Sequence, residues 1–143
     1  MNIRAFKLSD FGPLLDIWLR SVRASHAFLA ESDIQELLPV VRDHALPNLD
    51  IWVLCSDASD PIGFMGVGEG SIEALFIAPE HIRRGGGRML VEHARKLAGH
   101  LRVDVNEQNP EAIKFYEANG FHVIGRSSFD DGGRPYPLLH MSE

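Results

Sequence analysis

The stretch His81-Ile82-Arg83-Arg84-Gly85-Gly86-Gly87-Arg88-Met89-Leu90 holds residue types that could bind an anion. Three consecutive glycines cost backbone entropy, so their placement needs a reason. They stand where an apolar helical pattern begins. A helix N-terminus offers unpaired N–H groups and the positive end of the helix dipole. Glycines let a phosphate approach that backbone with no Cβ in the way. Arg83, Arg84 and Arg88 add charge-assisted donors around the same point. The alternative is a flexible loop that ends in a glycine cap. Two nucleotide templates do not fit. The Walker pattern needs Gly-Lys-Ser/Thr where this chain has Gly87-Arg88-Met89, and the dinucleotide fingerprint needs a glycine where Leu90 stands.

The elements that would position this loop follow from periodicity and punctuation. Residues 2–6 alternate like a short strand. Ser9 and Asp10 are N-cap types before Leu14, Leu15, Ile17, Trp18, Leu19 and Val22, which predicts helix 1 from about 10 to 23. Ser32 and Asp33 open a second helix through Leu37, Leu38, Val41 and Ala45. Residues 51–55 and 62–67 read as a hairpin about the turn 57–61. Residues 73–78 form another apolar run. The glycines then open a helix that Gly99 ends. Residues 101–105 alternate as a strand. Pro110 starts a helix that Gly120 stops. Residues 121–124 form a strand, 127–134 a polar loop and 136–141 a final strand. The order β-αα-βββ-α-β-α-ββ predicts one α/β domain over residues 1–143 with a mixed sheet.

Composition sets outer bounds. A chain of 143 residues with 45% apolar and 24% charged residues can build a core without metals or disulfides. The formal net charge of -6 argues against nucleic-acid binding, which wants a basic footprint. Cys55 is the only cysteine, so no intramolecular disulfide is possible, and the seven histidines show no metal-ligand spacing. The start lacks a signal-peptide apolar region, and no apolar run approaches the ~20 residues of a membrane span. These features predict a soluble cytoplasmic protein without a membrane or nucleic-acid partner, as monomer or homodimer.

The glycine loop, APEHIRRGGGRMLVEHA after a strand, is followed after the next strand by NEQNPEAIKFYEANGF. Together they resemble the GNAT superfamily of acetyl-CoA-dependent N-acyltransferases. The family's Gln/Arg-x-x-Gly-x-Gly/Ala pattern falls on Ile82-Arg83-Arg84-Gly85-Gly86-Gly87, with Ile82 in place of the polar first residue. Asn109, Ala112, Phe115, Tyr116, Gly120 and Phe121 match the C-terminal motif. The chain ends, IWLRSVRASHAFL and DDGGRPYPLLHM, are similar to one small bacterial branch of the family. The resemblance implies a mostly antiparallel sheet flanked by helices, with a splayed central strand pair that takes acetyl-CoA as acyl donor.

It also implies roles. Leu75-Phe76-Ile77 would bind the pantetheine through the backbone, and one of their N–H groups would face the thioester carbonyl. Gly85, Gly86, Gly87 and the nearby arginines would hold the pyrophosphate. Tyr116 would protonate the departing sulfur, or else be a core aromatic beside Phe115. Asn109 would cap its helix and reach the cofactor. Glu73 and Asp104 are alternative bases, and deprotonation by solvent is a third option. Trp18, Ser21, His26 and Phe28, with Asp130, Asp131 and Tyr136 opposite, would form the acceptor site. The reaction expected is direct transfer of acetyl from acetyl-CoA to a primary amine, small or peptidic, in a ternary complex. The alternatives are a silent CoA-binding module and a protein N-terminal or lysine acetyltransferase.

Overall fold

A computed structural model describes residues 1–143 and places all of the strands in one seven-stranded sheet. Strands β1 (Asn2–Ala5), β2 (Asp50–Cys55), β3 (Pro61–Val67), β4 (Ser71–Ile77), β5 (Arg102–Asn106), β6 (His122–Ser127) and β7 (Leu138–Ser142) lie in the order β1-β2-β3-β4-β5-β7-β6. Only β4 and β5 run parallel. Helices α1 (Phe11–Ser25), α2 (Glu31–Val40) and the one-turn α3 (Leu46–Asn48) precede β2. Helix α4 (Gly86–Ala98) precedes β5, and α5 (Pro110–Ala118) follows it.

Strand alternation sorts the side chains into two cores, one on each face. Ile51, Val53 and Cys55 of β2 join Leu14, Ile17, Trp18 and Val22 of α1. Leu54 of β2 and Met65 of β3 join Leu90, Val91 and Ala94 of α4 on the other face. Burial of these apolar side chains stabilises the fold by roughly 1.5–3 kcal/mol each before chain entropy is counted.

The central pair is splayed, as the resemblance implies. Strands β4 and β5 pair only at Ser71↔Arg102 and Ile72↔Val103 and then part. Just beyond the last pair, Val67 faces Ile72 and Gly66 faces Ala74, so Glu73 is an unpaired bulge residue in β4. A second bulge lies in β6, where Val123 pairs with Met141 and Gly125 with His140, leaving Ile124 unmatched.

Several boundaries differ from the sequence expectation. Asp10 does not cap α1 with its side chain. It lies buried after a 3-10 turn (Leu8–Asp10) and accepts two hydrogen bonds from Arg4, at 2.7 and 2.8 Å, and one from the Lys7 N–H. The Arg4 guanidinium holds the Asp10 carboxyl below its ordinary range. The predicted single helix to Ala45 breaks into α2, a π turn over Val41–Ala45, and α3. Pro39, inside α2, has no N–H to give the carbonyl four residues back, and the ladder changes within the next turn. Strand β6 extends to Ser127, which the turn-forming residues there did not predict. Pairing of Gly125–Ser127 with His140–Leu138 overrides that local preference. Strand β7 starts at Leu138, which leaves Tyr136 in the loop before it.

Candidate active site

The three glycines divide by function. Gly85 is the N-cap of α4 with φ 88°, a left-handed conformation that suits glycine. A Cβ on Gly85 would meet nothing within 4 Å, so its side of the loop is open. Gly86 and Gly87 are constrained by packing. A Cβ on Gly86 would lie 2.5 Å from Leu54 Cδ2, and one on Gly87 would lie 2.9 Å from the Phe115 ring. The helix start can therefore press against β2 and α5 with its first N–H groups facing outward. Arg83, just before the loop, is also left-handed at φ 63°, a strained state for a non-glycine. Its guanidinium is exposed and only 3.5 Å from Glu111. Arg84 and Arg88 are exposed as well. From Gly85 a groove of about 410 Å³ runs along α4, lined by Arg88, Met89, Glu92, His93 and Lys96. The open Gly85, the outward N–H groups and the exposed arginines fit a phosphate-bearing ligand.

The strand ahead of the loop is held from both faces. Leu75 and Ile77 of β4 pack against the α4 core, and Phe76 turns the other way to stack on Phe64 at 5.6 Å. Ser21 does not face an acceptor. It is buried, and its hydroxyl donates to the Ile77 carbonyl at 2.8 Å, which ties α1 to β4. Trp18 is likewise buried in the α1 core, though its ring lines a cavity of about 150 Å³ with Leu46, Phe64 and Phe76. Glu73 lies at the edge of that cavity. Its exposed carboxylate, at the bulge, accepts from the Ser71 hydroxyl.

Tyr116 of α5 is buried, and its ring packs with Val103 and Val105 of β5 and edge-on to Phe115 and Phe121. The Tyr116 ring is core, and no protein group hydrogen-bonds its hydroxyl. Burial pushes the phenol pKa well above its ordinary value, so it stays protonated at neutral pH. Asn109 is buried and caps α5 by accepting from the Ala112 N–H at 3.2 Å. That contact accounts for its position without a cofactor. Asp104 is half-exposed on β5 and bound to His140 Nδ1 at 2.7 Å, a partner the sequence did not indicate.

The structure brings most of the remaining acceptor candidates together. His26 stacks on Phe28 at 5.3 Å, and Phe28 on Tyr136 at 5.9 Å. Burial lowers the His26 pKa, which keeps the ring neutral near pH 7. The Tyr136 hydroxyl donates to Asp33, a residue not singled out from the sequence. Arg134, also missed, reaches Glu36 at 3.0 Å and Asp33 at 3.6 Å. This network joins α2 to the β6–β7 loop. Asp130 does not present a free carboxylate: it accepts from the N–H groups of Gly132 and Arg134 and so shapes its own turn. Asp131 is exposed.

The family described as acetyltransferase (GNAT) domain matches residues 47–123. The peptidyl-lysine N-acetyltransferase YjaB of Salmonella typhimurium is 45% identical over 141 residues, covering 99% of this chain and 97% of that protein. YjaB of Escherichia coli is 43% identical over 142 residues, covering 99% and 96%. The solution structure of apo-form E. coli YjaB superposes with a TM-score of 0.91, covering 99% of this chain and 95% of that one. No helix here is long and apolar enough to cross a membrane.

Proposed function

This chain belongs to the GNAT family of N-acetyltransferases, and on that premise we propose that it moves the acetyl group of acetyl-CoA to the side-chain amine of a lysine in a peptide or protein. The observation that carries the reading is the splay of β4 from β5 beside the open glycine loop, with an unpartnered tyrosine hydroxyl on the helix that follows β5. The splay frees one backbone edge of β4 for an extended thioester chain. The name of the YjaB relatives, identical at 43–45% of positions, supports lysine as the acceptor. The reaction has its natural setting in the cytoplasm.

Each chemical demand has a group. The amine attacks only when neutral. Glu73, exposed at the bulge, takes its proton through water. Asp104, bound to His140, is not needed for that step. As nitrogen bonds to the acyl carbon, negative charge grows on the thioester oxygen, and an N–H within Leu75–Ile77 stabilises it. The C–S bond then breaks, and Tyr116 gives the thiolate its proton. Arg83, Arg84, Arg88 and the N–H groups at Gly85–Gly87 hold the pyrophosphate. The aromatic wall of His26, Phe28 and Tyr136 receives the aliphatic stem of the acceptor.

A thiol-release assay with acetyl-CoA tests the reading, run against N-blocked lysine peptides, free amino acids and polyamines. Turnover with the lysine peptides is expected. Turnover confined to small amines would replace the acceptor class. Acetyl-CoA binding without turnover on any amine would leave a silent binding module.

A further inference from the structure

Three polar side chains meet in series on the β5–β7–β6 part of the sheet. Asp104 on β5 stands directly opposite His140 on β7. Ser127 on β6 lies diagonally across from His140, two residues past its partner Gly125. The period of two puts all three on one face. Asp104 Oδ1 is 2.7 Å from His140 Nδ1, and Ser127 Oγ is 2.6 Å from His140 Nε2. A carboxylate only accepts, so the first contact assigns the imidazole proton to Nδ1. Nε2 then carries the lone pair, and the Ser127 hydroxyl donates to it. Gly125 leaves the ring its space, since a Cβ there would stand 3.4 Å from His140 Cδ2.

This is the connectivity by which a serine is made nucleophilic: a hydroxyl aimed at a base whose far side is oriented by an acid. The group is separate from the proposed acetyl-transfer residues. Tyr116 packs with Val103, Val105 and Met141, which alternate with Asp104 and His140 and therefore lie on the opposite face. Ser127 is partly exposed and is followed by exposed Ser128 and Phe129, so a small ester can reach it. Strand β6 is the outermost strand, and its outward N–H groups have no strand partner. Such groups can donate to a developing oxyanion.

We propose that Ser127, His140 and Asp104 form a second reactive centre, in which the Ser127 hydroxyl takes an acyl group from an activated carboxylic ester. Oγ bonds to the acyl carbon while its proton passes to His140 Nε2. The bond from the acyl carbon to the leaving alcohol oxygen breaks, and that oxygen takes the proton back from Nε2. Water then attacks acyl-Ser127 by the same route and releases the carboxylic acid.

The test treats the intact protein with p-nitrophenyl acetate and, separately, with a fluorophosphonate, and maps adducts by mass spectrometry. It uses no acetyl-CoA, so its result is independent of the amine acetylation proposed above. One adduct per chain on Ser127 is expected with the fluorophosphonate and release of p-nitrophenol with p-nitrophenyl acetate, and neither in Ser127→Ala. His140→Gln should slow labelling by about 10²-fold or more, the usual worth of a positioned base. Asp104→Asn should slow it less. Ser127→Ala should keep its thermal midpoint and its amine acetylation, which shows that the variant is folded. Labelling that falls on lysines or on His140, or that is unchanged in His140→Gln, would overturn the proposal. So would the absence of any adduct on folded wild-type protein.

Discussion

At the head of α4 the chain presents backbone: one open left-handed glycine, two glycines packed against Leu54 and Phe115, and the first N–H groups of the helix. Across the molecule, the wall of His26, Phe28, Asp33, Arg134 and Tyr136 is made of side chains from three separated segments. The first region is specified by what is missing, namely Cβ atoms. The second is specified by what is present, and each member depends on another segment for its position. On the proposed reading, a donor region built largely from backbone can serve any acceptor chemistry, whereas the acceptor wall can change residue by residue without disturbing the donor side.

If that division is right, substitutions on the two sides should separate cleanly in kinetics. The largest effect is expected at Tyr116, the donor-side side chain proposed to act on the departing sulfur. Tyr116→Phe keeps the packed ring and should lower kcat by roughly 10²–10⁴, with acetyl-CoA affinity measured by calorimetry nearly unchanged. Because burial raises the phenol pKa, wild-type kcat should show no alkaline fall up to the ordinary tyrosine range near 10. Wild-type turnover by Tyr116→Phe would reduce the residue to packing.

Glu73→Gln comes next. Its rate near pH 7 should drop about 10²-fold, and the deficit should shrink as pH rises and free amine accumulates. A deficit constant with pH would remove the base role.

Gly85→Ala tests the backbone claim itself. Its Cβ meets no protein atom, so only the left-handed conformation and the ligand oppose it. The left-handed conformation costs alanine about 1–2 kcal/mol of fold stability, while a Cβ on the open side of the loop should raise the acetyl-CoA Kd roughly tenfold, with acceptor KM unaffected. Gly87 is a poorer probe, since its Cβ would press on Phe115 and disturb folding as well. Ile82→Gln should leave acetyl-CoA affinity equal or better, because Ile82 is exposed and its side chain displaces nothing.

The smallest effect belongs to the wall. Arg134→Gln removes the ion pairs to Glu36 and Asp33 and should raise peptide KM about threefold to tenfold while leaving acetyl-CoA binding alone. A change in acetyl-CoA affinity from Arg134→Gln would erase the distinction between the two regions.

The same contrast explains what could be read in the chain beforehand. The glycine loop and the Asn109–Phe121 stretch are contiguous, and their neighbours in sequence are their neighbours in space, so both stood out. The mostly antiparallel sheet and its splayed pair followed from the resemblance that these two stretches carry. Arg134 was invisible because Glu36 lies 98 residues away. Asp104 could be placed on an outward strand position by alternation, but His140 reaches it only through the β5–β7 ladder. Ser21 looked like an acceptor contact because it follows Trp18 on α1. Nothing local shows that the hydroxyl meets the Ile77 carbonyl. The break after Pro39 was missed because apolar periodicity continues through it.

The unmatched Ile124 in β6 bears on how the molecule behaves in company. An outermost strand with exposed Val123 and Ile124 is a template for another chain to extend the sheet, the first step toward precipitation in concentrated solution. The bulge interrupts that template midway. An incoming strand would lose its hydrogen-bond register where the apolar side chains would hold it, so the sheet tends to end here instead of recruiting a neighbour.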